Sequence, residues 1–305
     1  MAKSGLNKEM QLKEAIRKFV KDGNSLTFGG FCGRVPMAAA LEIVRQRKND
    51  ITLIDDSKND EADILIGAGC IKRWEGAYLS HGVPGLSRNY RRAVQQEIPH
   101  RLEVEESSNY GMSLRFLAGA LNVPFLPTRS LLGSDIPKYN QKIKVIEDPY
   151  EGTPIALVPA ANPDVSIIHV QRADVMGNSQ ILGFLANDEN KARAAKHTII
   201  TCEEIVSTDE IRKIPNLTVI PFYCVDAVVK VPYGSYWWSL IGYYAYDIMF
   251  SKDFVKENGT REGFLKWLNK WVYECEDHEE FLEKIGWDRI KRVTEIEHMC
   301  NQIPW

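Results

Sequence analysis

The chain has no cysteine pair at CxxC spacing and no cysteine–histidine set at metal-ligand spacing, so no metal is implied. Its six cysteines (Cys32, Cys70, Cys202, Cys224, Cys275 and Cys300) are irregularly spaced. Cys70 and Cys202 lie in apolar stretches, where a thiol is usually a small buried hydrophobe, and reduced structural thiols are expected. No apolar run is long enough to span a bilayer, and no membrane partner is expected. Neither sign of charge dominates: the net charge is -3, which gives no footprint for nucleic acid. GxGxxG, P-loop, GxSxG and HExxH spacings are all missing. Neither terminus offers a basic helix-turn-helix, which counts against a DNA-binding regulator. Met1 to Lys21 is charged and amphipathic without the apolar stretch of a signal peptide, so the expected location is cytoplasmic. Repeats, low-complexity segments and convincing linkers are likewise missing.

What is present is an ordinary globular composition, 44% hydrophobic and 26% charged over 305 residues, enough for a substantial core. Met10 to Lys21 has a helical apolar period, and Leu26 to Phe28 reads as a strand. Ala38 to Arg47 reads as a helix, and Ile51 to Ile54, Ile64 to Ile66 and Trp74 to Leu79 as strands. Ser87 is placed to cap a basic helix through Glu97. Leu102 to Val104 is strand-like, and Met112 to Leu121 is an apolar helix ending near Asn122. Strand-like runs recur at Lys142 to Ile146, Thr153 to Val158 and Val165 to Val170, followed by a polar loop from Arg172 to Gln180. A helix from Asp188 to Lys196 leads to the strand Thr198 to Thr201. Ser207 and Glu210 suit a capping box, and Leu217 to Ile220 and Ala227 to Val231 are the last strands. An aromatic stretch, Tyr236 to Tyr246, precedes helices from Lys252 to Glu297. It reads as an acyl pocket or, preferably, as a subunit interface. Short buried strands alternating with helices predict an α/β fold: a mostly parallel open sheet flanked by helices, with a helical C-terminal tail. The expected organisation is one domain over 1–305, of which 248–305 is a helical extension.

Chemistry is expected first at Asp22 to Pro36, where a short strand ends on Gly29-Gly30 and a helix soon follows. Paired glycines at a strand's C-terminal end permit a sharp turn and close approach of another group. The nearby helix start suits an anion or a polarised carbonyl. Cys32 in this turn has no evident base beside it in sequence, which counts against a nucleophile. Glu103 and Glu105 share one face of a strand, read as a solvated edge. His169 follows Ile167-Ile168 and reads as a satisfied core histidine, whereas His81 sits in a Gly/Pro loop after a strand, a better functional position.

Taken together, these stretches resemble a known family. Asp22 to Pro36 looks like the GGF signature of class I coenzyme A-transferase alpha subunits. Ile64 to Gly67, Val123 to Pro127, Asp164 to His169 and Ala173-Asp174 with Gly177-Asn178 agree with it. So do Cys202 to Val206 and Val225 to Val229 followed by Pro232-Tyr233-Gly234, most in the manner of glutaconate CoA-transferase. Two departures are Thr27, where an apolar residue is usual, and a loop from Phe31 to Pro36 that is one residue short. The resemblance implies transfer of CoA from an acyl-CoA to a carboxylic acid, dicarboxylic or aromatic, through a glutamyl-CoA thioester. It also implies a chain active only with a beta subunit, which carries the nucleophilic glutamate in a Ser-Glu-Asn-Gly motif. Here the nearest string is Asp188-Glu189-Asn190 at a helix start, so no catalytic nucleophile is expected in this chain. Gly29, Gly30 and Phe31 would shape the site floor, and Arg34 would meet a substrate carboxylate. Ser80 and His81 would contact the acyl group or the partner's glutamate. CoA enters as a thioester substrate, with no bound cofactor. The resemblance leaves an alternative, a ring-opening hydrolase of CoA thioesters of the steroid-degradation type. That enzyme carries an acidic residue where gapless counting places Asn109, with Glu105 and Glu106 nearby. An amide cannot serve as a general base at neutral pH.

Overall fold

The computed structural model describes residues 7–300; Met1 to Leu6, part of the amphipathic segment at the start of the chain, lie outside the described residues. Leu12–Phe19 (α1) turns Ala15 and Ile16 inward on a helical period. Then follow Ser25–Phe28 (β1), Met37–Arg45 (α2), Ile51–Ile54 (β2), Ser57–Lys58 (β3), Asp60–Gly67 (α3), Ile71–Gly76 (β4), Tyr78–Leu79 (β5), Arg88–Gln96 (α4) and Glu103–Glu106 (β6). The middle of the chain contributes Asn109–Ala120 (α5), Phe125–Thr128 (β7), Ile136–Tyr139 (α6), Lys144–Glu147 (β8) and Pro154–Pro159 (β9). Val165–Ala173 (β10), Ser179–Gln180 (β11), Asp188–Ala194 (α7), His197–Ile205 (β12), Thr208–Lys213 (α8), Thr218–Ile220 (β13) and Ala227–Lys230 (β14) return to the sheet. Ile248–Glu257 (α9), Arg261–Leu268 (α10), His278–Ile285 (α11) and Trp287–Cys300 (α12) close the chain.

Seven strands run parallel in the order β14-β12-β10-β1-β2-β4-β6. The chain starts at the centre with β1, works outward through β2, β4 and β6, then returns through β10, β12 and β14 on the other side. β1 and β10 are therefore neighbours whose continuations diverge, with Leu26 opposite Val165 and Phe28 opposite Ile167. A switch of this kind opens a crevice beyond the carboxyl ends of the two strands. β1 is followed there by the glycine turn. This is the mostly parallel α/β sheet that the alternation of elements predicts.

Three expectations change. Ile64 to Ile66 is not a strand but the second half of α3, all eight residues of which are buried. A three-residue apolar run does not distinguish a buried strand from a buried helix, and the acidic first turn of Asp60, Glu61 and Asp63 favours a helix N-terminus. The runs at Lys142 to Ile146 and Thr153 to Val158 do not join the parallel sheet. As β8 and β9 they form a separate antiparallel sheet with β7, in the order β7-β9-β8. The polar stretch Arg172 to Gln180 is a tight β10–β11 hairpin. Its tip is held by the Asp174 carboxylate, which accepts from the N–H groups of Met176, Gly177 and Asn178 at 3.0, 2.9 and 2.9 Å.

The aromatic stretch overturns both of its readings. Tyr236, Trp237 and Tyr244 are fully buried within this chain and belong to the same hydrophobic cluster as Leu26, Ile43 and Val165. Trp237 packs on Phe250 at 4.9 Å, Phe254 at 5.6 Å and Trp267 at 6.0 Å, so the C-terminal helices share the main core. Cys70, Cys202, Cys224 and Cys275 are buried as expected of structural thiols, and Cys32 and Cys300 are exposed. No helix among the described residues is long and apolar enough to cross a membrane.

Trp267 is 1% exposed and lies edge-on to Phe254 at 4.7 Å. Trp267→Ala should cost about 3–5 kcal/mol of stability. Urea unfolding of the two proteins measures the difference.

Candidate active site

The glycine turn rests on charged side chains that the sequence reading passed over. The Asp55 carboxylate, one residue past β2, accepts from the Phe28 N–H at 2.9 Å and the Thr27 hydroxyl at 3.1 Å. This accounts for threonine at an otherwise apolar strand position. Lys191 of α7 reaches across to Asp55 at 2.6 Å, Asp56 at 3.0 Å and the Phe28 carbonyl at 3.1 Å. Lys58 donates to the Gly30 carbonyl at 2.8 Å. Burial lifts Asp55 to about 6 despite Lys191 and Lys58. The Asp56 carboxyl is also pushed up by burial, but the two lysines outweigh that and hold it below the usual range.

The turn itself alternates in backbone sign. Gly30, Cys32 and Arg34 have φ of 68°, 54° and 56°, in the left-handed region, while Phe31 and Gly33 between them do not. The N–H groups of the first three are all engaged: Gly30 by Asp188 at 2.9 Å, Cys32 by the Asn59 side chain at 3.1 Å, Arg34 by the Ser239 carbonyl at 2.8 Å. Those of Phe31 and Gly33 have no acceptor among the described residues. Alternating conformations of this kind form a backbone concavity suited to an anion. Position 30 needs glycine, because a Cβ there would lie 2.5 Å from the carbonyl oxygens of Gly33 and Arg34.

The remaining expected residues fall around this turn in different roles. Phe31 is half-buried and meets Tyr78 edge-on at 6.1 Å. Arg34 is not free to meet a substrate carboxylate. Its left-handed backbone turns the guanidinium inward, where it donates to Asp188 at 2.6 Å and to the carbonyls of Phe184 and His169. His81 does not face the site either. It is fully buried between Asp60 at 2.5 Å and Asp63 at 3.4 Å. Burial alone would lower it, but the two carboxylates raise it to about 10, so it is a fixed cation at neutral pH. Asp60 also accepts from the Trp237 indole at 2.5 Å, tying this loop to the C-terminal core. Ser80 is buried, and its hydroxyl donates to the Gly85 carbonyl at 2.9 Å. Its own carbonyl accepts from Asn59 at 3.1 Å, so Asn59 joins the Ser80 loop to the turn. Asn109 is exposed at the start of α5 and accepts from the Ser57 hydroxyl at 2.8 Å.

Two carboxylates nearest to Asn109 in sequence lie on the edge strand β6, and Glu105 pairs with Lys142 at 3.0 Å. Nothing in this arrangement puts an acid in the place that the hydrolase would require. His169 is a satisfied core histidine, as expected, between Thr201 and Glu203, both at 2.9 Å. Burial raises the Cys32 thiol, more than the Asn59 hydrogen bond lowers it, which keeps sulfur protonated and disfavours a nucleophile. The residues missed from sequence are Asp55, Lys58, Asn59, Asp188 and Lys191. Their one available signal was the dense polar run Asp55 to Glu61 directly after an apolar strand.

A switch-point crevice floored by backbone donors defines an α/β protein built to stabilise negative charge on a bound group. The chain belongs to the coenzyme A transferase family, whose model, described as coenzyme A transferase, matches residues 9–231. It is 38% identical over 277 residues to the first of the two chain types of the 3-oxoadipate CoA-transferase of Pseudomonas knackmussii, covering 91% of this chain and 98% of that one. It is 36% identical over 303 residues to the corresponding chain of the glutaconate CoA-transferase of Acidaminococcus fermentans, covering 93% and 94%. The crystal structure of that glutaconate enzyme superposes with a TM-score of 0.89 at 34% identity, covering 97% of this chain and 96% of the other. The family resemblance read from the motifs therefore holds over nearly the whole length.

His81→Gln leaves Asp60 and Asp63 buried without their cation and should cost about 3–5 kcal/mol. Because the folded-state value of His81, about 10, lies above its ordinary 6.5, the stabilisation is complete below 6.5 and lost as pH rises through 10. Urea unfolding at several pH values should show the gap between the two proteins closing on the alkaline side.

Proposed function

We propose that this chain is the alpha subunit of a heteromeric CoA-transferase that moves CoA between an acyl-CoA and a dicarboxylic acid, with the nucleophilic glutamate on a beta subunit. The observation that carries this reading is the pair of unclaimed N–H groups at Phe31 and Gly33, at the carboxyl end of the central strand. The glutamate carboxylate attacks the thioester carbonyl, and the carbonyl oxygen becomes an oxyanion. Collapse expels CoA as a thiolate and leaves a mixed anhydride. The thiolate attacks the glutamyl carbonyl, releasing the first acid as its carboxylate and leaving a glutamyl-CoA thioester. The acceptor carboxylate then runs the same steps in reverse. Fixed backbone donors suit each tetrahedral oxyanion because they need no reorganisation when charge develops. The concavity of the turn is the place where this chain would supply them.

The nucleophile is assigned elsewhere because the carboxylates that hold the turn, Asp55 and Asp188, and Glu61 beside them, are fully buried. The dicarboxylic class is supported by the two relatives described above, whose enzymes are named for 3-oxoadipate and glutaconate. With Arg34 bound to Asp188, the distal carboxylate would be recognised by another cation or by the partner.

Two measurements test the reading. The chain purified with its companion, incubated with an acyl-CoA and treated with borohydride, should carry the reduced adduct on a glutamate of the companion. An adduct on a carboxylate of this chain would overturn the assignment. Gly30→Ala should lower turnover by about 10²–10³ while far-UV circular dichroism stays unchanged, since the clash is confined to the turn. Undiminished turnover would remove the turn from the mechanism.

A further inference from the structure

The ions beneath the glycine turn do not balance. Arg34 is claimed by Asp188 at 2.6 Å, Lys191 by Asp55 and Asp56 at 2.6 and 3.0 Å, and His81 by Asp60 and Asp63 at 2.5 and 3.4 Å. One cation, Lys58, and one carboxyl, Glu61, remain, and both are fully buried. Lys58 gives its short bond to the Gly30 carbonyl at 2.8 Å. It stands farther from the Gly29 carbonyl and Asp55, each at 3.5 Å, and from the Glu61 Oε1 at 3.9 Å. Glu61 Oε2 accepts from the Asn59 N–H at 3.2 Å, whereas Oε1 has no hydrogen-bond partner. A buried carboxylate with an empty oxygen 3.9 Å from an ammonium would close that gap, because an unpaired charge is costly in a low-dielectric interior. The wide spacing fits the neutral acid.

We infer that Glu61 is a positioning residue of the glycine turn: as the neutral acid it leaves the Lys58 ammonium to the Gly30 carbonyl, and as the carboxylate it draws that ammonium away. The peptide bond couples this to the site. Gly30 C=O and Phe31 N–H point in opposite directions across one planar trans amide. Holding the carbonyl on Lys58 inside the core therefore turns the Phe31 N–H out of it. Loss of the Lys58 bond frees that amide to rotate and spoils the donor. The titratable and charged groups facing Glu61 are Lys58 and Asp55 from the β2–β3 segment, Asp60 from its own helix and the Cys32 thiol from the turn. On α2, which packs against α3, the ionisable side chains Glu42 and Arg45 pair with each other at 3.2 Å. On α4, also packed on α3, Arg92 is bound to Asn89 and Asn258. Burial lifts Glu61 to about 7, against the pull of Lys58, so the change falls in the neutral range. The effect on catalysis rests on the proposed oxyanion role of the turn; the effect on the turn's geometry does not.

The test uses the full chain in complex with its companion, in natural and Glu61→Gln forms. Amide signals of Gly30 and Phe31 are followed by TROSY NMR across about two pH units either side of neutrality. In the natural protein both signals should titrate with a midpoint near 7, and in Glu61→Gln they should not. Isotope-edited infrared spectra of the natural protein, labelled at glutamate, should show a buried carboxylic-acid carbonyl band below that midpoint. This second measurement needs no variant and so survives any failure of Glu61→Gln to fold. Absence of the band, or an identical Phe31 titration in both proteins, would overturn the proposal. Turnover of the natural complex should fall about tenfold or more above the midpoint, and the fall should vanish in Glu61→Gln. A Glu61-dependent amide titration with a flat rate profile would uphold the positioning role and refute the oxyanion reading instead.

Discussion

Everything at the centre of this molecule depends on holding negative side chains behind a strand end without water. Asp55 grips the last peptide of β1, Lys191 grips Asp55, and Asp188 grips the first peptide of the glycine turn and the Arg34 guanidinium. Removing charges from water is costly, and well-packed apolar residues often replace such pairs without loss of stability. What apolar residues cannot do is aim backbone. A carboxylate accepting from a named N–H fixes a peptide plane, and a carbonyl held by an ammonium fixes the next one. The network under the turn is therefore better understood as orientation than as adhesion. In that respect it resembles the pre-set dipoles that stabilise developing charge in enzyme sites.

The same logic extends to the C-terminal helices. Asp60 lies between the His81 imidazole and the Trp237 indole. Asp63 is bound by the Asn258 side chain, at the end of α9, at 3.0 Å. The helical tail is thus connected to the Ser80–Gly85 loop by buried polar contacts as well as by aromatic packing. The aromatic stretch that looked ready for a ligand or a partner was instead meeting this chain's own tail.

How much of this could be read from residues alone depended on range. The α/β class was legible because short apolar strands and amphipathic helices alternate, and that is a local signal. The glycine turn was legible because two adjacent glycines after a strand have few other uses. The trio Ile64 to Ile66 misled because burial on all sides erases periodicity. The roles of Arg34 and His81 were not legible, since the partners that claim them lie 154 and 21 residues away. Short-range spacing says where a charged side chain starts, and only the fold says which opposite charge it reaches. The run Asp55 to Glu61 would ordinarily be a solvated face, and it is interior because Lys191 and His81 meet it there and Lys58 turns inward with it.

The central position of β1 also sets an order of assembly. Its neighbour β10 lies 139 residues later in the chain (Leu26 beside Val165), and Asp188, which fixes the Gly30 amide, lies 158 residues later. Contacts of such sequence separation close late, after the loop-closure entropy of the intervening chain has been met. During synthesis, then, the earliest strand waits with its glycine turn half supported until most of the polypeptide has left the ribosome. A truncated product ending before α7 would contain the entire GGF sequence, with Asp55 and Lys58 in place, but neither Asp188 nor Lys191 to complete its frame.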